Sequence, residues 1–478
     1  MRNIQKIFVA FAVFFVGQSC IHDFEEVNTD PNRIDRISPG TLLNPILYGV
    51  SSFNTSRADA FTFQIMQVAL PFPSATGGLH RYDVSEAAGN STWNTYYRWL
   101  INIKEMKEAA INAEDPNYEA VALTLNAWVY SLLSDSFGDV PFEEASRGEE
   151  GIFRPKFNTQ QEVYTAILSD LERANSLYDL GRNMIYGEDI LFQNDVARWQ
   201  KFTNSLHLRL LLRVSNRTET NAFSRMAAIV QNPETYPVFN STQESAILKI
   251  TGVNPNLSPW GRAIDFTTFR AMSAFFIDRL NELDDPRRPV FATEARDPDG
   301  QTTIGYKGIP SGYATGDSEF NFSPSNHNIA LVQVPMISLI LTYAEVEFIK
   351  AELALKGHIS SDPETHYNTA VEAAMEQWGV DIPETYFENT AAAFDGTLEK
   401  LMLQKYLGLY FNDYQQWFEY RRTGYPVLPK NAGMLNDQLV PVRFRYPVDV
   451  QINNTENYNE AVARIGTDDI NTKVWWEE

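Results

Sequence analysis

The apolar residues of this chain fall first in one unbroken run, Ile7 to Val16, and thereafter at helical spacing. Arg2 and Lys6 precede the run, which makes the segment a secretory signal. Ten apolar residues are too few for a membrane-spanning helix, which needs about 20. Residues 21 to 40 are polar and turn-rich, with Asp30-Pro31-Asn32 and Pro39-Gly40 as turn signals, and read as a tether. Helical periodicity then predicts Trp93 to Asn112, Tyr118 to Ser134, Gln160 to Leu180 and Val196 to Val214. The third is the clearest: Val163, Ile167, Leu171, Ala174 and Leu177 share a face, and Thr159 with Glu162 forms a capping box.

From about Ser215 to Val334 the periodicity fails, apart from short helices near Ala222 to Val230 and Ser273 to Leu283. Loops of this length in a folded protein are functional or disordered, and Trp260, Tyr306 and Tyr313 within them argue for order. Helical spacing returns over residues 334 to 357, with Pro335 suited to a first turn and Gly357 to a C′ position. A second helix from Asp362-Pro363 to Gly379 pairs with it in the manner of a tetratricopeptide unit. A last long helix is expected over Leu398 to Thr423, followed by extended, turn-rich chain. The fold class is all-α: a tetratricopeptide-like helical scaffold, in blocks of about 90–214 and 334–424, with an irregular loop-rich lobe inserted over about 215–333. Residues 1–19 are the signal, 20–40 the tether and 41–478 a single domain.

Composition narrows the function. With 44% hydrophobic and 13% aromatic residues the chain can bury a large core. Its net charge of −22 excludes a phosphate-backbone partner and so nucleic acid. Cys20 is the sole cysteine, so no disulfide forms within the chain. It stands where cleavage of the signal would fall, and two readings compete. Gly17-Gln18-Ser19 suits ordinary signal peptidase; alternatively, a cysteine after a small residue suits a bacterial lipoprotein signal and accounts for the free thiol.

No HExxH, P-loop, GxGxxG or GxSxG pattern occurs, and the six histidines lack zinc-ligand spacing. His358 and His366 are expected at the surface. Neither a catalytic residue nor a metal or other cofactor is assigned. Acidic neighbours such as Glu143-Glu144 and Asp284-Asp285 read as solvated surface, and Asp297 to Gly300 as a turn. Loop aromatics offer more. A sugar presents an apolar C–H face and a polar rim, which suits an aromatic platform with amide or guanidinium donors. Phe72, His80, Arg81 and Tyr82, then Trp260 with Asn254 and Asn256, then Tyr306 and Tyr313 are the candidate ligand-binding residues.

Eight stretches in order resemble one family: DFEEVNTDPN after Cys20, SDSFGDVPF (134–142), LDDPRRPVF (283–291), YKGIPSG (306–312), LILTYAEVEFIKAELALKG (339–357), QQWFEYRRTGYPVL (415–428), PVRFRYP (441–447) and VWW (474–476). Together they resemble the SusD/RagB-like nutrient-binding outer-membrane lipoproteins of Bacteroidetes, in the SusD-like branch. Read physically, Gly138, Gly308 and Gly424 mark turns, Pro141 and Pro426 halt helices, and Arg421 and Arg422 stack or pair with carboxylates within the scaffold. The resemblance implies a protein lipidated at Cys20, anchored in the outer membrane and exposed on the cell surface. It implies capture of an oligosaccharide or other nutrient, without chemistry, for a SusC-like TonB-dependent transporter. The alternatives are an α-helical glycoside hydrolase and a helical-repeat scaffold that binds only protein.

Overall fold

Leu43, Ile46, Leu47, Val50 and Asn54 recur at helical spacing and are buried on one face of α1 (Pro39–Arg57), the first helix of the scaffold. It begins inside the stretch expected as tether, because Pro39 suits a first turn and Gly40 packs so tightly that a Cβ would lie 1.8 Å from the Tyr186 carbonyl oxygen. The computed structural model describes residues 37–73, 78–313 and 320–478, and Pro39–Glu478 forms one unit. Cys20, the signal and nearly all of the tether lie outside the described residues.

α1 packs on α2 (Asn90–Asn112), α2 on α3 (Pro116–Phe137), α3 on α4 (Gln160–Leu177), α4 on α5 (Val196–Arg213) and α5 on α6 (Ala222–Gln231). α3 is apolar on every side and buried from Ala120 to Leu125 and from Ala127 to Phe137, as its central place requires. Asp115 starts it by accepting from the Asn117 and Tyr118 amides, and Gly138 ends it at φ +86°. The capping box of Thr159 and Glu162 opens α4. After α7 (Ala274–Glu282) come α8 (Tyr343–Leu355), α9 (Pro363–Glu376), α10 (Leu398–Gly408), α11 (Gln415–Thr423) and α12 (Thr455–Ile465). α8 and α9 make the expected helical pair, closed by Gly357 at φ +75°. The described residues are predominantly helical, in agreement with the expected fold class.

Three elements differ from expectation. Residues 334–357 are not one helix: Met336–Leu341 is a strand antiparallel to Ala246–Ile250, Pro335 follows a cis peptide bond, and Thr342 caps the helix proper. An apolar run with β-branched residues fits a buried strand as well as a helix, and the pairing decides. The helix expected over Leu398 to Thr423 breaks at Leu409–Tyr414, where Phe411 has φ +69° and Asp413 φ +33°. Asp413 Oδ1 takes the Tyr414 amide and Gln415 Nε2, replacing helical bonds; burial pushes this carboxyl up to about 6, against the pull of Arg209. The closing segment is not wholly extended: it holds Val448–Asn453 and α12.

Buried charges join the two helical blocks. Arg209 of α5 binds Glu345 of α8 (Nε to Oε1, 2.7 Å), and Arg213 of α5 reaches Asp135 of α3 and Glu419 of α11. Arg422 of α11 forks onto Glu352 of α8 at 2.8 and 2.6 Å, and Lys405 meets Glu419 at 2.7 Å. Arg421 is held between the rings of Trp417 (4.7 Å) and Trp476 (4.5 Å) and pairs with Glu477 at 2.8 Å, so stacking and carboxylate pairing both occur. Asp285 is not surface as expected; it is fully buried against Arg287, whereas Asp284 is exposed. Gly308 is needed for close approach, its Cβ position being 2.4 Å from the Ser273 carbonyl carbon. Pro141 lies in a strand beyond the end of α3, so Gly138 and not Pro141 stops that helix.

Candidate ligand-binding site

The loops converge on a small antiparallel pair, Ala69–Pro71 with Arg270–Met272. Ser273 bridges in parallel to Ile309, and the Met272 amide donates to Ser325. Leu70, Ala271, Ile309 and Tyr313 bury a cluster separate from the main core, against which Phe72, Phe320 and Phe322 pack half-exposed. Such satellite clusters sit under long loops and give them a fixed floor.

His80 knits this floor together. Its ring lies 5.1 Å from that of Tyr313, its Nδ1 accepts the Gly312 amide at 3.3 Å, and its carbonyl accepts the Ser311 hydroxyl at 3.0 Å. The Tyr313 hydroxyl donates to the Pro71 carbonyl, and burial pushes it up to about 12. Tyr82, at φ +63° and 2% exposed, accepts from Gln67 Nε2 at 3.2 Å; burial pushes its hydroxyl to about 12 as well. A fourth segment closes the group: Gln67 Nε2 also donates to the Pro429 carbonyl (2.8 Å), Arg81 Nε to that of Gly433 (2.7 Å) and Asn431 Nδ2 to that of Ser311 (2.6 Å). Gly312, at φ +76°, admits this segment, since a Cβ would stand 2.4 Å from Met434 Cγ.

These segments enclose a pocket of about 420 Å³ whose wall includes Gln67, Phe275, Asp278, Arg279, Ser311 and Asn431. Phe275, half-buried, supplies an apolar face with the Arg279 guanidinium 5.7 Å from its ring. Burial raises the Asp278 carboxyl while Arg279 lowers it, and among the described residues no cation pairs with it. Apolar ring, carboxylate and amide together can hold a polyhydroxylated, neutral ligand.

Six of the nine candidate residues therefore lie at or beside the converging loops, and of these Phe72, His80, Arg81, Tyr82 and Tyr313 are joined by the contacts above. Tyr306 begins the same loop, but its half-buried ring lies under Arg288, 5.0 Å from the guanidinium. Trp260 goes elsewhere: it packs edge-on against Phe266 (5.1 Å) and Phe411 (6.2 Å), near the buried Asp59, whose carboxyl is raised by burial against the pull of Arg270. Asn254 and Asn256 form a tight turn with a cis Asn254–Pro255 bond. Among the described residues no hydrogen bond or ring contact joins these three to the cluster. The sequence reading missed Phe269, which is 72% exposed at φ +57° and gives its carbonyl to the Phe72 amide. Nothing local marks it: a left-handed phenylalanine is visible only in the backbone. Phe320 and Phe322 could have been found from their alternation in EFNFSP.

Among the described residues no group of three or more His, Cys, Asp or Glu side chains could hold a metal ion, and no helix is long and apolar enough to cross a membrane. His358 is exposed and stacks on Phe223, and His366 binds Glu347 at 2.6 Å.

Fold and site define an α-helical scaffold that displays a pocket built by converging loops. Residues 31–447 match the SusD-like family described as "Starch-binding associating with outer membrane", and the chain belongs to that family. Its fold is shared by a SusD homologue from Bacteroides fragilis NCTC 9343, at 23% identity over 93% of this chain and 100% of that one, with a TM-score of 0.79. A chitin-binding protein matches at 24% identity, covering 92% and 99% of the two chains, with a TM-score of 0.79. A SusD homologue from Bacteroides uniformis ATCC 8492 matches at 21% identity, covering 93% and 100%, again with a TM-score of 0.79. No curated protein matches the chain.

Proposed function

We propose that the protein is a cell-surface lipoprotein that captures glycan, or another neutral nutrient, at the converging loops and delivers it to a SusC-like TonB-dependent transporter. The observation that carries this reading is the pocket beside the aromatic floor, in a chain whose family is described as starch-binding and associated with the outer membrane. The chitin-binding protein of like fold is a further support for a carbohydrate ligand. Anchoring at Cys20 follows from the signal and its single cysteine. Several acyl chains are needed for firm attachment, since one anchors only marginally.

Binding precedes import and involves no bond cleavage at this protein. The test is retardation of the protein in native gels that contain soluble polysaccharides, with a peptide panel titrated beside them. New reducing ends are sought in the same mixtures. Retardation without reducing ends supports the reading; hydrolysis that disappears on changing one carboxylate overturns it. Isolation from the native membrane tests the partner: a transporter of this class should come with the protein.

A further inference from the structure

A second pocket, of about 290 Å³, lies on residues that the loop cluster does not use. Its floor is Trp93 and Tyr97, one turn apart on α2 with ring centroids 4.9 Å apart, and Pro141, whose carbonyl accepts the Tyr97 hydroxyl at 2.8 Å. Phe153 stands at its mouth on the loop that joins the strands Val140–Pro141 and Phe157–Asn158, and is 81% exposed. A lone exposed phenylalanine of this kind loses hydrophobic free energy unless something covers it.

The other wall is the short helix Val448–Asn453, which sets Asp449 and Asn453 one turn apart on the same face. Among the described residues neither side chain has a hydrogen-bond or ion-pair partner. The size is close to the lower end for small-ligand pockets, about 300 Å³. An apolar floor, an open aromatic face and an uncommitted carboxylate and amide at the rim match a ring that is apolar on one side and hydroxyl-bearing at its edge. The neighbouring loop carries Glu143, Glu144, Glu149 and Glu150 against Arg147, Arg154 and Lys156, so it presents little net charge, as suits a neutral ligand.

We propose that this pocket is a second carbohydrate site, taking a neutral pyranose with its C–H face on Phe153 and its hydroxyls on Asp449 and Asn453. The proposal rests on the carbohydrate reading above but on none of the same residues. Two sites on one rigid body would hold a long glycan by avidity while the pocket of the converging loops loads a single segment of it.

The experiment is calorimetric titration of the mature chain with maltohexaose, chitohexaose, cellohexaose and xylohexaose, for the wild type, Phe153→Ala and Asn453→Ala. The wild type should take two equivalents of the hexaose it binds. Each substitution should weaken one of the two by about three- to tenfold, the range of a lost aromatic contact, and leave the melting temperature unchanged because both side chains are exposed. One equivalent that binds Phe153→Ala and Asn453→Ala as tightly as the wild type overturns the second site alone. No binding by the wild type across the four sugars overturns it together with the carbohydrate reading. Loss of a co-purifying protein on Phe153→Ala, with sugar binding intact, makes the patch a protein contact and overturns it too.

Discussion

Replacing Arg422 with methionine tests the claim that buried charge, and not apolar packing alone, holds α11 against α8 in the second helical block, where Glu419 also takes Arg213 of the first. The guanidinium makes two bonds to Glu352, at 2.8 and 2.6 Å, and one of 2.8 Å to Glu419. Burial raises the Glu352 carboxyl, but Arg422, with Lys356 and Lys405 behind it, overrides this and holds it down at about 2. Relative to the ordinary 4.5, that depression corresponds to about 3 kcal/mol of preference for the charged form in the fold. Removing one partner of a buried pair costs about 3–5 kcal/mol, since the other charge stays in low dielectric. With an unfolding entropy of about 2 cal/mol/K per residue, the melting temperature should fall by about 3–5 °C. Urea denaturation at 25 °C gives the free energy directly.

The sign with pH is a second check. The folded-state pKa is depressed, so the stabilisation from Glu352 is fully present above about 4.5 and is lost as pH falls towards 2. The gap between wild type and Arg422→Met should therefore narrow on acidification from pH 7. Glu352→Gln with Arg422→Met should recover part of the loss. A cost below about 1 kcal/mol, or a gap that does not narrow at low pH, refutes the reasoning.

Three further outcomes follow from the site and the signal. Phe269→Gly should raise stability by about 1 kcal/mol, because it relieves a left-handed backbone at an exposed residue, and should weaken retardation in glycan gels; unchanged retardation removes Phe269 from the ligand. Trp260→Ala should lower stability by about 1–3 kcal/mol through lost packing against Phe266 and Phe411, with glycan retention unchanged; the opposite pattern places Trp260 on the ligand. Mass spectrometry of the mature protein should find a multiply acylated Cys20 at its N-terminus, and an unmodified Cys20 or Ile21 there refutes the anchor.

Periodicity located most of the long helices because one buried face per helix is a local property. Val163, Ile167, Leu171 and Ala174 are all buried as their spacing requires. The same spacing runs through α1 and through Tyr458, Ala461, Val462 and Ile465 of α12, where proline, glycine and polar neighbours masked it. Met336–Leu341 was not decidable locally, since a run apolar on both faces suits either a strand or a helix until Ala246–Ile250 pairs with it.

The sequence by itself determined a helical scaffold and a loop region rich in aromatics. Those depend on composition and on neighbours a few residues apart. Which aromatics meet was decided only by tertiary structure. Phe72, His80 and Tyr313 come together because bonds from His80 to Ser311 and from Arg81 to Gly433 span more than two hundred residues, whereas Trp260 is drawn into packing with Phe266 and Phe411. Pairing within the scaffold was legible for Arg422, but nothing local marks Glu345 and Glu352 as buried. They are buried because each finds its counter-ion on a helix far away in the chain, and no periodicity within one helix carries that information.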